Sequence, residues 1–190
     1  MDDLRERLTE RYREPHRRYH DVRHLQEVLE AVDQLAAEAD DPKAVRWAAW
    51  FHDAVYDVRR DDNEEQSARL AVDELTAHGC EPALVDEVAR LVRLTGTHQP
   101  ANTDRNGAVL CDADLRILAA DPWRYAEYVT DVRAEFAHVR DDEFRAGRAA
   151  VLRGLLASPR LYRTDSAHAR LEERARGNVL TELAQLEVRA

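Results

Sequence analysis

Two histidines and two aspartates of this chain stand where a helical sequence ordinarily places apolar side chains. His24 lies one turn before Val28 and beside Leu25, and His52 falls between Ala48/Ala49 and Val55/Tyr56. Asp53 comes four residues after Ala49, and Asp114 lies between Leu110 and Ile117/Leu118. Burying a charge is costly unless it is paired or bound to a metal. Taken singly, each has a plain account: a core histidine bonded to a carbonyl, or Asp114 paired with Arg133. Taken together, imidazole nitrogens and carboxylate oxygens from separate helices make a ligand set for one divalent ion, with room for a second. That mixture suits Mn, Fe, Co, Ni or Zn better than Mg, which prefers oxygen alone. Adjacent residues on a helix point about 100° apart. His52 and Asp53 can therefore share an ion only off the edge of their helix, with neighbouring helices completing the shell.

Other ionisable residues share this placement. Glu64 precedes Ala68, Ala71 and Leu75 at helical spacing and is a candidate general acid, or else a first-turn acid at a helix N-terminus. Asp57, four residues after Asp53, is a candidate to orient a ligand or water. His98 sits in a long loop, where it could meet substrate or a second ion. Arg133 lies between Val129 and Phe136, and Arg148 between Phe144 and Val151/Leu152. Each must meet an anion, either an internal carboxylate or an anionic group of a substrate held by a guanidinium fork, and the substrate is the expected partner of at least one of the two. Arg17 and His20, just before the first ligand helix, could close over the same site.

These residues need helices to carry them. Apolar stripes run through 22–36, then from Asp41-Pro42, an N-cap with an N1 proline, to Tyr56. Asp62 with Glu65 reads as a capping box opening a helix that stops near Gly79. Glu81-Pro82 opens another that ends near Gly96. Residues 97–107 read as a loop, and helical patterns resume at 108–120, 122–139, 142–157 and 166–187. The expectation is a single all-α domain over 1–190 with about eight helices.

Composition narrows the function. The 190 residues carry 28 basic and 38 acidic side chains, a net charge of −10, which disfavours duplex nucleic acid and anionic membrane surfaces as partners. Lys43 is the only lysine. Cys80 and Cys111 cannot build a disulfide framework or a cysteine-rich zinc site. No apolar run approaches a membrane span and the first residues do not read as a signal peptide, so a cytoplasmic protein is expected.

The text around these residues resembles the HD superfamily of metal-dependent phosphohydrolases. The matching strings, in order, are Arg17-Arg18-Tyr19-His20-Asp21-Val22-Arg23-His24-Leu25, Trp50-Phe51-His52-Asp53-Ala54-Val55-Tyr56-Asp57, Asp62-Asn63-Glu64-Glu65-Gln66-Ser67-Ala68 and Cys111-Asp112-Ala113-Asp114-Leu115. Later strings around Val132-Arg133-Ala134-Glu135-Phe136, Gly147-Arg148 and Glu172 to Asn178 extend it, so that it spans about Tyr12 to Leu183. The resemblance implies an all-α HD fold with ligands at His24, His52, Asp53 and Asp114. Asp112 competes for the fourth position; Asp114 is preferred because it precedes leucine in the motif and falls on the apolar stripe. A histidine at the position of His98 is also part of the likeness. The implied activity is hydrolysis of a small phosphate ester or anhydride, with a nucleotide among the candidate substrates and self-association left open. Two alternatives stand beside it. One is a mixed-valent di-iron oxygenase, for which His98, His20 and His78 are the spare histidines. The other is a non-catalytic, metal-stabilised ligand-binding protein.

Overall fold

The computed structural model describes residues 1–188, and among these every regular element is helical. In chain order these are α1 (Asp2–Tyr12), α2 (Val22–Leu35), α3 (Pro42–Phe51), α4 (Asn63–Ala77), α5 (Pro82–Leu94), α6 (Arg105–Asp114), α7 (Pro122–Glu135), α8 (Asp141–Ala157) and α9 (Asp165–Val188). Short 3-10 turns follow α2 and α6, at Ala36–Glu38 and Leu115–Ala119. No described helix is long and apolar enough to cross a membrane.

Local chemistry sets most of the boundaries. Asp21 caps α2, its carboxylate accepting from the backbone N–H of Arg23 and His24. Asp41 caps α3 ahead of Pro42. Helix α4 ends at Gly79, whose φ of 69° is the left-handed conformation that glycine adopts without strain. The N–H of Gly79 and of Cys80 return to the carbonyls of Thr76 and Leu75. Gly107 is required by close approach: a Cβ there would lie 2.4 Å from the Asp104 carboxylate that caps α6.

Several boundaries differ from the sequence expectation, among them the end of α7 at Glu135 rather than 139. Helix α1 lacks a stripe strong enough to read, yet Leu4, Leu8 and Tyr12 are buried at a spacing of four. Helix α6 starts at Arg105 rather than 108, because Asp104 supplies the cap. The Asp62–Glu65 capping box does not form: Asp62 bonds Arg60 and Gln66, and Glu65 pairs with Arg69 and Arg93. Helix α3 stops at Phe51 and does not reach Tyr56. Tertiary bonds take over its backbone there. The Tyr12 hydroxyl donates to Trp50 O and accepts from Asp53 N, Arg17 donates to Asp53 O, and Ser67 Oγ both accepts from Val55 N and donates to Val55 O.

Two apolar clusters result. One is built from α1 to α6, with Leu25, Val45, Phe51, Leu91 and Leu110 fully or almost fully buried. The other gathers Tyr19, Leu118, Tyr128, Leu152, Tyr162 and Val179 under α7, α8 and α9. Each such side chain contributes roughly 1.5–3 kcal/mol relative to exposure. His24 belongs to a helix of the first cluster, while its ring packs on Tyr19 of the second, with ring centroids 4.8 Å apart.

Candidate metal centre

Three helix ends deliver the candidate ligands to this junction. His24 projects from the first turn of α2, His52 is the residue that closes α3, and Asp114 ends α6. His24 and His52 are 2% and 1% exposed. One ligand atom from each of His24, His52 and Asp114 lies within 4.8 Å of the others. The two imidazole Nε2 atoms stand 3.0 Å apart, and Asp114 Oδ1 is 3.3 Å from His24 Nε2 and 3.7 Å from His52 Nε2. Asp53 Oδ2 stands 3.3 Å from His24 Nε2 and 3.1 Å from His52 Nε2. Asp53 reaches the site from the turn after α3, not from the helix face read in the sequence.

The donor set fits a divalent ion. Ligand atoms about 2.1 Å from one ion are roughly 3.0–3.4 Å apart for right-angle to tetrahedral geometry. Four of the five spacings above fall within or beside that range. His52 Nδ1 contacts the Ala49 carbonyl at 2.8 Å, so Nδ1–H donates there and Nε2 keeps the lone pair that a metal needs. The electrostatics agree. Burial alone would depress both imidazoles, but hydrogen bonds to Asp114 and Asp53 push His24 up to about 10, and the Asp53 charge raises His52. Burial alone would raise Asp53 and Asp114, but their imidazole partners hold both well below the usual carboxylate range. The site thus carries two carboxylates that must be neutralised, by protons or by an ion.

Asp112, the competing fourth ligand, is the more buried of the two aspartates and lies elsewhere. It accepts from Arg163 N, Thr164 N and Thr164 Oγ1, and so anchors the chain entering α9. His98 does join the site: its Nε2 is 2.7 Å from Asp114 Oδ2. Its φ of 51° lies in the left-handed region, where a non-glycine residue is uncommon and strained.

His20 also stays beside the ligands, its ring centroid 5.5 Å from that of His24 and 4.2 Å from that of Tyr56. Its Nδ1 is 2.7 Å from Glu135 Oε2. Glu135 is the residue that the sequence reading missed. Its carboxylate also accepts from the N–H of Arg18, Tyr19 and His20 and from the Tyr56 hydroxyl, and it is 7% exposed. Burial would raise its pKa, but the His20 hydrogen bond and the backbone donors bring it down to about 2. The signal was present: Tyr125, Tyr128, Val132 and Glu135 form one buried stripe of α7.

The remaining expectations need correction. Arg17 has a fully buried side chain and donates to the carbonyls of His20, Asp53 and Ala54, so it ties the ligand loop together rather than facing a substrate. Arg133 bonds Asp141 and the carbonyls of Phe136 and Val139, closing the C-terminal end of α7. Arg148 forms a two-pronged pair with buried Glu182 and donates to the Tyr128 hydroxyl. Arg148 therefore finds its anion buried in the protein, and Arg133 pairs with the exposed carboxylate of Asp141. Asp57 is exposed in the turn after α3, its carboxylate accepting from Arg59 N. Glu64 lies across Gly96, two residues from His98, and makes no hydrogen bond to any of the four candidate ligands.

The Arg148 pairing carries a prediction. Arg148→Met would leave the Glu182 carboxylate, 3% exposed in its side chain, with only the Tyr125 hydroxyl as partner. Breaking one side of a buried pair costs about 3–5 kcal/mol. Urea denaturation should show a loss of that order, and a change below about 1 kcal/mol would place the pair among the weak surface bridges.

A cavity of about 250 Å³ reaches His24 and Asp114 from the side of α7 and α9, with Tyr19 and Arg124 on its wall. Comparison of the chain with family models, with curated proteins and with solved structures finds no match.

Proposed function

We propose that the chain is a metal-dependent phosphohydrolase of the HD superfamily, acting on a small phosphorylated molecule. The observation that carries this reading is the convergence of His24, His52, Asp53 and Asp114 at metal-ligand spacing, with His98 and His20 beside them. A bound divalent ion would supply Lewis acidity, easing loss of a proton from water and drawing charge from a phosphoryl group. The four residues hold it, and His52 is fixed in the right tautomer by Ala49 O. In the hydrolysis, the water oxygen bonds to phosphorus and the bond to the leaving oxygen breaks. The water proton passes to the Asp114–His98 pair. His20, held through Nδ1 by Glu135, gives a proton from Nε2 to the leaving oxygen.

The test is a phosphate-release screen over nucleotides and sugar phosphates with Mn, Co, Ni, Mg and Zn in turn. Turnover with at least one metal, falling about 100-fold or more in Asp114→Asn, is expected on the scale of lost metal-site function. Metal-loaded protein that releases phosphate from none of them contradicts the reading. A second reading, a di-iron oxygenase, draws on His98 against Asp114 as a further ligand. Two irons per chain, with no phosphate release, would favour it. His78 is no candidate there, since it lies at the C-terminal end of α4 and is not grouped with His24, His52 and Asp114.

Ligands drawn from three helix ends should couple metal to stability. An ion at a hundredfold excess over its Kd adds roughly 2.7 kcal/mol. At about 2–4 °C per kcal/mol for a chain of this size, chelation should lower Tm by roughly 5–10 °C. Calorimetry with and without chelator checks this, and an unchanged Tm after verified metal removal would count against it.

A further inference from the structure

A groove of about 740 Å³ with His98 on its wall opens between the loop after α5 and the end of α8. One residue in five of this chain is Asp or Glu, yet none lines the groove. Its charged and titratable groups are His98, Arg160 and Arg163. Arg163 makes no side-chain hydrogen bond or ion pair among the described residues. Arg160 meets only Asp165, whose side chain is 96% exposed, and its Nε is buried without a partner. A pair with so exposed an acid holds the guanidinium weakly. The rest of the wall is apolar or small: Pro100, Leu115, Leu155 and Val151, the last 57% exposed. Such a volume is in the usual range for a small-molecule site.

One guanidinium with no internal partner and one held only by an exposed acid, in a chain of net charge −10, leave positive charge for an anion from outside. They stand apart from the metal ligands, so this anion is additional to the phosphoryl group to be cleaved. The apolar wall calls for an organic part. We propose that this groove binds the substrate, and that the substrate is an organic molecule carrying at least two phosphate groups, one at His98 and one on Arg160 and Arg163. This rests on the phosphohydrolase reading for its catalytic end, and on the groove alone for the rest.

The experiment measures binding of orthophosphate, pyrophosphate and ADP to the full chain by titration calorimetry, with chelator and with Mn, alongside metal content by elemental analysis. Arg163→Met removes a group with no internal partner and should fold normally. Arg160→Met and Val151→Asp test the same wall, the latter by placing an acid on an exposed position, and Lys43→Met serves as control. Wild type should bind pyrophosphate about tenfold or more tighter than orthophosphate, and ADP tighter still, because a charge-assisted bond to the second phosphate is worth that much. Each groove variant should weaken pyrophosphate and ADP by about tenfold, with metal content unchanged. If pyrophosphate binds no tighter than orthophosphate, or if the three variants bind like the Lys43→Met control, the proposal is overturned even where the metal is present. If the variants weaken binding in a chain that holds no metal, the groove stands and the phosphohydrolase reading falls.

Discussion

His52→Ala is expected to empty the metal centre, with metal affinity falling about a hundredfold or more. His52 Nε2 lies 3.0 Å from His24 Nε2 and 3.1 Å from the Asp53 carboxylate, so its loss opens one side of the ligand set. Even groups that only orient a ligand are typically worth about 10–100-fold in affinity, and a ligand is worth more. Deletion also leaves His24 as the only imidazole among the candidate ligands. Elemental analysis of protein purified without chelator should find the variant metal-free where wild type holds its ion. The variant's Tm should then be indifferent to chelator. Wild-type metal content in His52→Ala would remove His52 from the ligand set.

The second large effect belongs to Glu135. Five donors converge on this buried carboxylate, three of them consecutive backbone N–H groups that set the entry to α2. Glu135→Ala leaves them without an acceptor and should cost about 3–5 kcal/mol, as removal of one side of a buried charged network does. Glu135→Gln keeps an oxygen for the backbone donors and should cost less. The charge has its own signature in pH. A folded-state pKa of about 2 against the usual 4.5 means that the folded protein holds this group ionised more strongly than the unfolded chain does. Its contribution, about 3 kcal/mol, is fully present above pH 4.5 and is lost as pH falls from 4.5 toward 2. Urea denaturation at pH 7 and at pH 3 should show wild type losing about 2 kcal/mol more than Glu135→Gln does. Equal acid sensitivity in the two proteins would show that the carboxylate is not the source.

The candidate metal centre was readable because it breaks a pattern. His24, His52 and Asp114 occupy apolar stripe positions, and a helix periodicity is robust enough to expose such an intruder. Asp53 was read as a helix-face residue four positions after Ala49, but it sits in the turn after α3. Its real position depends on α3 ending at Phe51, which tertiary hydrogen bonds from Tyr12, Arg17 and Ser67 decide. No local sequence signal encodes those partners. The same limit explains the arginines. A stripe position says that Arg133 and Arg148 are partly buried, but it does not say which anion they meet: Arg148 meets the buried Glu182 and Arg133 the exposed Asp141. On α7 the buried charges are Arg124 and Glu135, with Arg133 one-third exposed. Asp112 and Asp114, two residues apart, diverge because one serves the backbone entering α9 and the other the imidazoles. Helix α1 was missed because three buried residues among charged neighbours make a narrow stripe.

The central claim is a divalent ion held by His24, His52, Asp53 and Asp114, and anomalous diffraction from Mn-loaded crystals tests it most directly. The account predicts one strong anomalous peak at the junction of α2, α3 and α6, about 2.0–2.2 Å from the Nε2 atoms of both histidines and from a carboxylate oxygen of each aspartate. Crystals grown with saturating Mn that show no peak there, with His24 and His52 still in direct hydrogen-bond contact, would contradict it.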